Sequence, residues 1–161
     1  MLFRSLPDHV AISHEESKSS HELNERNLLA QLLEGVVQMH AKGVFHRDIK
    51  TDNLLMVDGV LKFVDFGISK LSMDETKMNH TKNVVTRCYR PPEIFFGDRN
   101  YNLGAVDIWS VGCVIAELVT GHVLFPGTSD IEQLSLIFDV LGTPTTEDWP
   151  EVDSLPCFLP F

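Results

Sequence analysis

Two short polar stretches carry the groups that a phosphoryl transfer would need. The first reads His-Arg-Asp-Ile-Lys-Thr-Asp-Asn at residues 46–53, and the second reads Asp-Phe-Gly at residues 65–67. Phosphoryl transfer from a nucleotide needs a proton acceptor for the attacking hydroxyl, positive charge over the moving phosphate, and oxygen ligands for Mg²⁺. Asp48 can accept the proton, and Lys50 can supply the charge. The Asn53 amide oxygen and the Asp65 carboxylate are hard ligands of the kind that Mg²⁺ prefers.

The segment between these stretches predicts how their side chains converge. Two short apolar runs, at residues 54–57 and 60–64, flank Asp58-Gly59, which is the strongest short-range signal for a β-hairpin. A hairpin here returns Asp65 to the side of Asn53. Asp, Asn and Lys are also common loop residues, and a lone Asp-Phe-Gly would mean little. The order of the two stretches and the length of the hairpin argue against coincidence.

The pattern His-Arg-Asp-x-Lys-x-x-Asn followed by Asp-Phe-Gly resembles the catalytic and metal signature of eukaryotic protein kinases. Lys50, two residues after Asp48, resembles the serine/threonine branch and not the tyrosine branch. The segments that resemble the cyclin-dependent kinase family, of the CMGC group, are residues 84–93, 106–113, 124–127 and 141–144. The resemblance covers the chain from about Leu23 onward.

This resemblance implies a protein serine/threonine kinase that transfers phosphate from ATP to Ser or Thr of protein substrates, with Mg²⁺. It implies that Asp48 and Lys50 are catalytic, that Lys50, Asn53 and Asp65 contact the nucleotide, and that Asn53 and Asp65 hold the metal. We call residues 46–53 the catalytic loop. Thr86 and Arg90 match positions that shape the substrate site, where the family selects proline directly after the target residue.

Residues 68–86 are polar, with few apolar anchors, and predict a long functional or mobile loop. The loop resembles the activation segment of kinases. Thr81 matches the phosphorylated threonine of cyclin-dependent kinases, and Arg47 and Lys70 are candidate cations for its phosphate. The family usually has Arg at the position of Lys70, and a lysine gives a point charge instead of a bidentate fork. An unmodified surface threonine is the alternative.

Two acidic residues match structural positions of the family. Glu93 matches a glutamate that pairs with an arginine from the last helices of the carboxy-terminal lobe. Asp107 matches an aspartate that holds the backbone of the catalytic loop, and simple capping of a helix that begins there is the alternative. Thr51 and Cys88 depart from the family, which has Pro and Trp at these positions.

Three helices are predicted around the site. A capping box of Ser19 and Glu22 predicts a helix that runs to about Ala41 and ends at Gly43. Its apolar rows are Leu28, Leu32 and Val36, with Leu29 and Leu33 beside them. Residues 107–119 are apolar almost all round and predict a helix buried on every side, with Gly121 as its stop. A second capping box at residues 129–132 begins a helix whose predicted apolar face is Ile131, Leu134, Ile137, Phe138 and Leu141.

The predicted fold class is mainly α with a small β-hairpin, as in the carboxy-terminal (large) lobe of a protein-kinase-like fold truncated at both ends. Residues 1–161 are expected to form one partial kinase domain. Within it, residues 1–20 are a hinge remnant and irregular lead-in, and residues 21–161 hold the catalytic loop, the activation segment and two following helices. The sequence contains no Gly-x-Gly-x-x-Gly and no Val-Ala-x-Lys. We therefore expect little kinase activity from this chain alone; the alternative is a non-catalytic protein that competes for kinase partners or substrates.

Composition limits the partners. An apolar content of 43% is enough for a core, and a net charge of −10 argues against binding nucleic acid or an acidic membrane through a broad basic face. The three cysteines are far apart and predict reduced thiols, as in cytosol or nucleus. No membrane-spanning run or signal peptide is expected. Expected partners are protein substrates and, in a full-length form, a cyclin-type regulator.

Overall fold

The computed structural model describes residues 14–71 and 85–158, and side chains from residue 26 onward. The α-helices in this part are α1 (His14–Ala41), α2 (Pro92–Phe95), α3 (Leu103–Thr120) and α4 (Asp130–Leu141). The strands are β1 (Val44–Phe45), β2 (Leu54–Val57), β3 (Val60–Phe63) and β4 (Lys70–Leu71), and they form the antiparallel pairs β1–β4 and β2–β3. Short 3₁₀ turns cover Thr51–Asn53, Arg87–Tyr89 and Val152–Ser154. The predicted fold class, mainly helical with a small hairpin, is confirmed.

Helix α1 begins at His14, so the predicted start at the capping box was wrong. Ser19 and Glu22 lie inside the helix. A Ser-x-x-Glu spacing caps a helix only where the serine backbone is non-helical, and this spacing also arises by chance within a helix.

The end of α1 and the burial of Leu32 and Val36 agree with the sequence, whereas the exposure of Leu33 does not. Gly43 has a φ of 68°, and its N–H donates to the His40 carbonyl at 2.9 Å, which closes the last turn. Leu32 and Val36 are buried at 0% and 1% exposure, and they join the core that α1 shares with α3. Leu33, which was assigned to the same face, is 47% exposed.

The predicted hairpin is present as β2 and β3. Leu54 pairs with Phe63, and Val57 pairs with Val60. Asp58 and Gly59 form the connection with φ values of 52° and 77°, the left-handed pair that a two-residue I′ turn requires.

Helix α1 fixes this hairpin through one side chain. The Gln31 amide donates to the Gly59 carbonyl at 3.2 Å, and its oxygen accepts from the Leu61 N–H at 2.7 Å. The hairpin therefore has a defined position on the helical core.

The pairing of β1 with β4 was not predicted. Val44 pairs with Leu71, and Phe45 pairs with Lys70, so the chain before the catalytic loop lies beside the chain after Asp-Phe-Gly. Both candidate stretches therefore lie between paired strands. A two-residue strand carries no periodicity by which sequence could identify its partner.

Helix α3 begins before its predicted position. Asn102 caps it by accepting from the Ala105 N–H at 2.9 Å, and Gly121, with a φ of 75°, ends it as predicted. Ile108 and Val119 are 55% and 67% exposed, so the expectation of burial on every side was wrong.

By length and composition α3 could also cross a membrane, with 18 residues and a mean hydropathy of 1.6. The expectation that no apolar run approaches that length was therefore wrong. One such helix is weak evidence for a membrane span, because a core helix passes the same test. Val106, Asp107 and Val114 are each 0% exposed, as in a core helix.

In helix α4 the predicted N-cap is present, but the apolar face differs from the predicted one. Ser129 accepts from the Glu132 N–H at 3.2 Å. Ile131 and Leu141 are 83% and 63% exposed, whereas Gln133 is 0% exposed and its oxygen accepts from the Gly127 N–H at 3.0 Å. A polar side chain takes the inner position because it satisfies a buried backbone donor.

Candidate active site

Asp48, Lys50 and Asn53 meet within the catalytic loop. The Lys50 Nζ lies 3.4 Å from the Asp48 Oδ2. The Asn53 Nδ2 donates to the Asp48 carbonyl at 2.8 Å and to the Asp48 Oδ2 at 3.2 Å. The 3₁₀ turn Thr51–Asn53 creates this convergence, because it folds Asn53 back over the aspartate.

The other oxygen of Asp48 faces Thr86. The Thr86 backbone N–H and hydroxyl donate to the Asp48 Oδ1 at 3.0 and 2.8 Å, and the Lys50 Nζ donates to the Thr86 Oγ1 at 3.1 Å. Burial disfavours the charged form of Asp48, but the two bonds from Thr86 and the charge of Lys50 outweigh it, so the pKa of Asp48 is lowered. Asp48 is therefore a carboxylate at neutral pH.

Asp107 binds the backbone at the start of the catalytic loop. It is 0% exposed, and it accepts from the His46 N–H at 2.9 Å, the Arg47 N–H at 2.7 Å and the His40 Nε2 at 2.8 Å. Since Asn102 caps α3, Asp107 lies beyond the first turn and does not serve as the N-cap. The contact that the resemblance implied for Asp107 is therefore present.

His46, which sequence reasoning treated only as part of the motif, connects the two stretches. It is 0% exposed, and its Nδ1 accepts from the Asp48 N–H at 3.3 Å. The Nε2 can then donate to the Val64 carbonyl at 3.1 Å, directly before Asp65. The ring also contacts Phe66, with centroids 4.8 Å apart.

Asp65 follows the hairpin, as predicted. The Val64 N–H donates to the Asn53 carbonyl at 3.0 Å, so the chain reaches Asp65 directly after a residue bonded to Asn53. Asp65 has a φ of 62°, and its Oδ1 accepts from the Gly67 N–H at 3.3 Å. The side chain is exposed, in contrast to Asn53, which is 6% exposed.

Asn53 and Asp65 fit the donor set of a Mg²⁺ site. The amide nitrogen of Asn53 is engaged with Asp48, and among the described residues no hydrogen bond reaches its amide oxygen. That oxygen therefore has a free lone pair, and the Asp65 carboxylate is exposed. In the described ranges, no group of three or more His, Cys, Asp and Glu that could hold a metal occurs.

Arg90, which was predicted with Thr86 to shape the substrate site, bonds to the backbone of Val85. Val85 has a φ of 69°, an uncommon conformation for a β-branched residue. The guanidinium of Arg90 stabilises this turn, because its Nη2 and Nε donate to the Val85 carbonyl at 2.9 and 3.2 Å. The Arg90 guanidinium also lies over the Phe95 ring, 5.0 Å from its centroid.

Thr81 lies outside the described residues, and its candidate cations Arg47 and Lys70 lie within them. Arg47 is 6% exposed, and its Nε has no hydrogen-bond partner in the described part of the chain. Burial raises the pKa of Tyr101, and the guanidinium of Arg47 beside it opposes that shift. Lys70 lies in β4, opposite Phe45 of β1.

Glu93 lies in the short helix α2. Burial raises the pKa of its carboxyl, and the charge of Asp98 raises it further. Within the described ranges no salt bridge is present at Glu93.

A hydrogen-bond triangle that was not predicted surrounds Thr51. The Thr51 Oγ1 lies 3.1 Å from the Tyr89 hydroxyl and 3.2 Å from the Glu117 Oε1, and the Tyr89 hydroxyl donates to the Glu117 Oε2 at 2.6 Å. The triangle ties the catalytic loop to α3. The sequence signal for this triangle was Thr51, which carries a hydroxyl where the family has proline. The neighbouring Cys88 is half-buried and packs against the core.

Comparison with known proteins identifies the family. The protein kinase domain model matches residues 3–157. The CTD kinase subunit alpha of Schizosaccharomyces pombe is 43% identical over 136 residues, which are 84% of this chain and 23% of the relative. Human cyclin-dependent kinase 20 is 46% identical over 132 residues, which are 81% of this chain and 38% of the relative. The chain therefore spans less than half of the length of these relatives.

Two solved structures have the same fold. The yeast RNA Pol II CTD kinase CTDK-1 complex gives a TM-score of 0.78 at 36% identity, over 92% of this chain and 46% of that one. The Chaetomium thermophilum CAK complex bound to ATP-gamma-S gives a TM-score of 0.78 at 43% identity, over 85% and 42%. The chain belongs to the protein kinase domain family and is similar to its cyclin-dependent kinases.

Proposed function

We propose that this chain carries the catalytic and substrate-facing part of a protein serine/threonine kinase that phosphorylates Ser or Thr of protein substrates. One observation supports this above the others. The Asp48 carboxylate is held on one oxygen by Thr86 and on the other by Lys50 and Asn53. A positioned, ionised carboxylate beside a lysine is the arrangement that accepts a proton from an attacking hydroxyl.

In this proposal Asp48 orients the substrate hydroxyl and receives its proton. Lys50, 3.4 Å from Asp48, places positive charge where charge accumulates on the transferred group. Thr86 keeps both side chains in place through its hydroxyl, which bonds to each of them. Asp107 and His46 hold the backbone of the loop.

ATP and Mg²⁺ are the proposed cofactors, and the Chaetomium thermophilum relative was solved with ATP-gamma-S. Bound Mg²⁺ would neutralise phosphate charge. The residues that would hold it are Asn53, through its unbonded amide oxygen, and Asp65.

Val85 and Arg90 support a preference for substrates with proline after the target residue. The Val85 carbonyl is occupied by Arg90, so it does not accept from a substrate N–H. A substrate residue other than proline after the target residue would leave its backbone N–H unpaired here, at a cost of about 1–3 kcal/mol. Proline has no N–H to leave unpaired.

Thr81 is the proposed regulatory phosphosite, with Arg47 and Lys70 as cations. A cyclin-type regulator is the proposed partner of a longer form, since the relatives include a CTD kinase and the solved neighbours are kinase complexes. The cytoplasm or nucleus is the proposed location. No nucleic acid or membrane partner is proposed.

For the 161-residue chain by itself we propose little or no kinase activity. The β2–β3 hairpin leaves Leu55 and Met56 47% and 50% exposed, and Phe66 beside Asp65 is 46% exposed. A nucleotide against this open surface would be screened by water, and positioning supplies most of the catalysis in phosphoryl transfer. The exposed apolar hairpin also favours a second candidate function, a non-catalytic protein that competes for kinase partners.

Metal binding tests the site. With Mn²⁺ as a paramagnetic substitute for Mg²⁺, added together with ATP, we expect NMR line broadening centred on Asn53, Asp65 and Gly67. Asp65→Asn should abolish it. Asp58→Asn is the matched control, because Asp58 is exposed in the hairpin turn and Asn tolerates its positive φ. Broadening elsewhere, or equal loss in both variants, would overturn the proposed metal site.

Turnover tests the activity. With Mg²⁺-ATP and a peptide containing Ser-Pro, we expect the wild-type chain to give no more phosphate transfer than Asp48→Asn. Robust transfer that is lost in Asp48→Asn would overturn the proposed inactivity of this chain and support the kinase assignment. The absence of both metal binding and turnover would favour the competitor function.

A further inference from the structure

We propose that Thr143 is a phosphorylation site for proline-directed protein kinases, including an active kinase of this chain's own type. The inference rests on the proposed function only through the preference for proline at the edge formed by Val85 and Arg90. The residues that precede the eight prolines of the chain are Leu6, Arg90, Pro91, Phe125, Thr143, Trp149, Leu155 and Leu159. Thr143 is the only hydroxyl residue among them.

The structure presents Thr143 to solvent. Helix α4 ends at Leu141, Gly142 turns the chain away with a φ of 87°, and Thr143 follows, exposed and outside any helix or strand. No hydrogen bond of its hydroxyl occurs among the described residues. Pro144 also biases Thr143 toward extended backbone.

The neighbouring threonines lack this combination. The Thr145 hydroxyl donates to the Asp148 carboxylate at 2.8 Å, and Thr145 precedes threonine instead of proline. Thr146 is exposed but precedes Glu147. The segment therefore supplies a matched control within three residues of the proposed site.

The reaction is a phosphoryl transfer from ATP bound to the acting kinase. The Thr143 Oγ1 lone pair forms the new bond to the γ-phosphorus, the bond from that phosphorus to the β–γ bridging oxygen breaks, and ADP leaves. The hydroxyl proton passes to the catalytic aspartate of the acting kinase.

A phosphate on Thr143 would be repelled by the negative charge around it. Thr143 lies just past the carboxyl end of α4, where the helix dipole is negative, and Glu147 and Asp148 follow closely in the chain. A phosphate next to a helix C-terminus and carboxylates is destabilising. Thr143 also lines, with Trp109, Phe138 and Trp149, a cleft of about 340 Å³ beside α4. We expect phosphorylation to lower the thermal midpoint by about 2–4 °C.

The test uses the purified chain as substrate for an active cyclin-dependent kinase–cyclin complex with Mg²⁺-ATP, and mass spectrometry to locate phosphate. Because another enzyme does the chemistry, the result is independent of whether this chain is active. We expect phosphate on Thr143, loss of that phosphate in Thr143→Val, about a tenfold slower reaction in Pro144→Ala, and no change in Thr146→Val.

Circular dichroism confirms that each variant is folded, and a synthetic peptide of residues 137–149 serves as the unfolded comparison. Phosphate on the peptide but not on the folded chain would overturn the proposal, because the fold would then conceal the site. Phosphate on neither the folded chain nor the peptide would also overturn the proposal, because the kinase would then not recognise this sequence. An equal rate of phosphorylation in Pro144→Ala and in the wild type would overturn the role of proline.

Discussion

The catalytic loop and the β2–β3 hairpin, which leads to Asp65, differ in how far they are buried. In the loop, His46 and Asn53 are 0% and 6% exposed; the His46 ring bonds to the Val64 carbonyl, and the Asn53 amide bonds to the Asp48 carbonyl within the loop. On the hairpin, Met56 and Val60 are 50% and 53% exposed. The catalytic loop is therefore fixed by buried hydrogen bonds, whereas the hairpin presents an open apolar surface.

The largest expected effect concerns the hydrogen bonds to Asp107 that hold the catalytic loop. Asp107→Ala removes the acceptor for the His46 and Arg47 N–H groups and should lower the free energy of unfolding by about 3–5 kcal/mol. Asp139→Ala on the exposed side of α4 is the control and should change it by less than about 0.5 kcal/mol. Urea denaturation measures both. Similar losses in the two variants would remove the special role of Asp107.

The next test compares an apolar residue from each region. Leu32→Ala opens space at a side chain that is 0% exposed and should cost about 2–5 kcal/mol of unfolding free energy. Leu55→Ala, at 47% exposure, should cost far less, because much of its apolar surface remains in water. Equal costs by chemical denaturation would mean that the hairpin surface is covered in solution.

The sequence predicted the parts of this comparison that depend on local signals. Asp58-Gly59 predicted the hairpin, because few residues accept two positive φ values in succession. Gly43, Gly121 and Ser129 predicted helix ends through the conformations and side-chain bonds that those ends require. Asp48, Lys50 and Asn53 were identified together because they lie in one short segment.

The sequence did not predict parts that depend on contacts between distant elements. The β1–β4 pair and the Thr51–Tyr89–Glu117 triangle join segments far apart in the chain, and neither leaves a periodic pattern. The inner face of α4 was misassigned because burial of Gln133 depends on the backbone of Gly127, which hydrophobicity does not describe. The start of α1 was misplaced because a capping spacing recurred within a helix.

A smaller effect is expected at the turn that joins the hairpin strands. Gly59→Ala places a Cβ at a φ of 77° and should lower the unfolding free energy by about 1–2 kcal/mol. Gly112→Ala in α3 is the matched control, because no atom lies within 4 Å of the added Cβ and the glycine is helical. It should stabilise the chain by about 0.5–1 kcal/mol. The same sign in both variants by urea denaturation would contradict the turn geometry.

The smallest expected change concerns the charge of Asp48. Thr86→Val removes one of the two Thr86 bonds to Asp48 and leaves the backbone bond, so the pKa of Asp48 should rise toward its ordinary value. Because the folded-state pKa is the lower one, Asp48 stabilises the fold above its unfolded pKa and loses that contribution as pH falls through the folded value. The variant should therefore lose less stability than the wild type between neutral pH and about pH 3.

Titration of the Asp48 carboxyl by ¹³C NMR measures the pKa directly, with Thr146→Val as control. An unchanged Asp48 pKa in Thr86→Val would mean that Lys50 and the backbone N–H alone keep the carboxylate ionised, and Thr86 would then act only on its position.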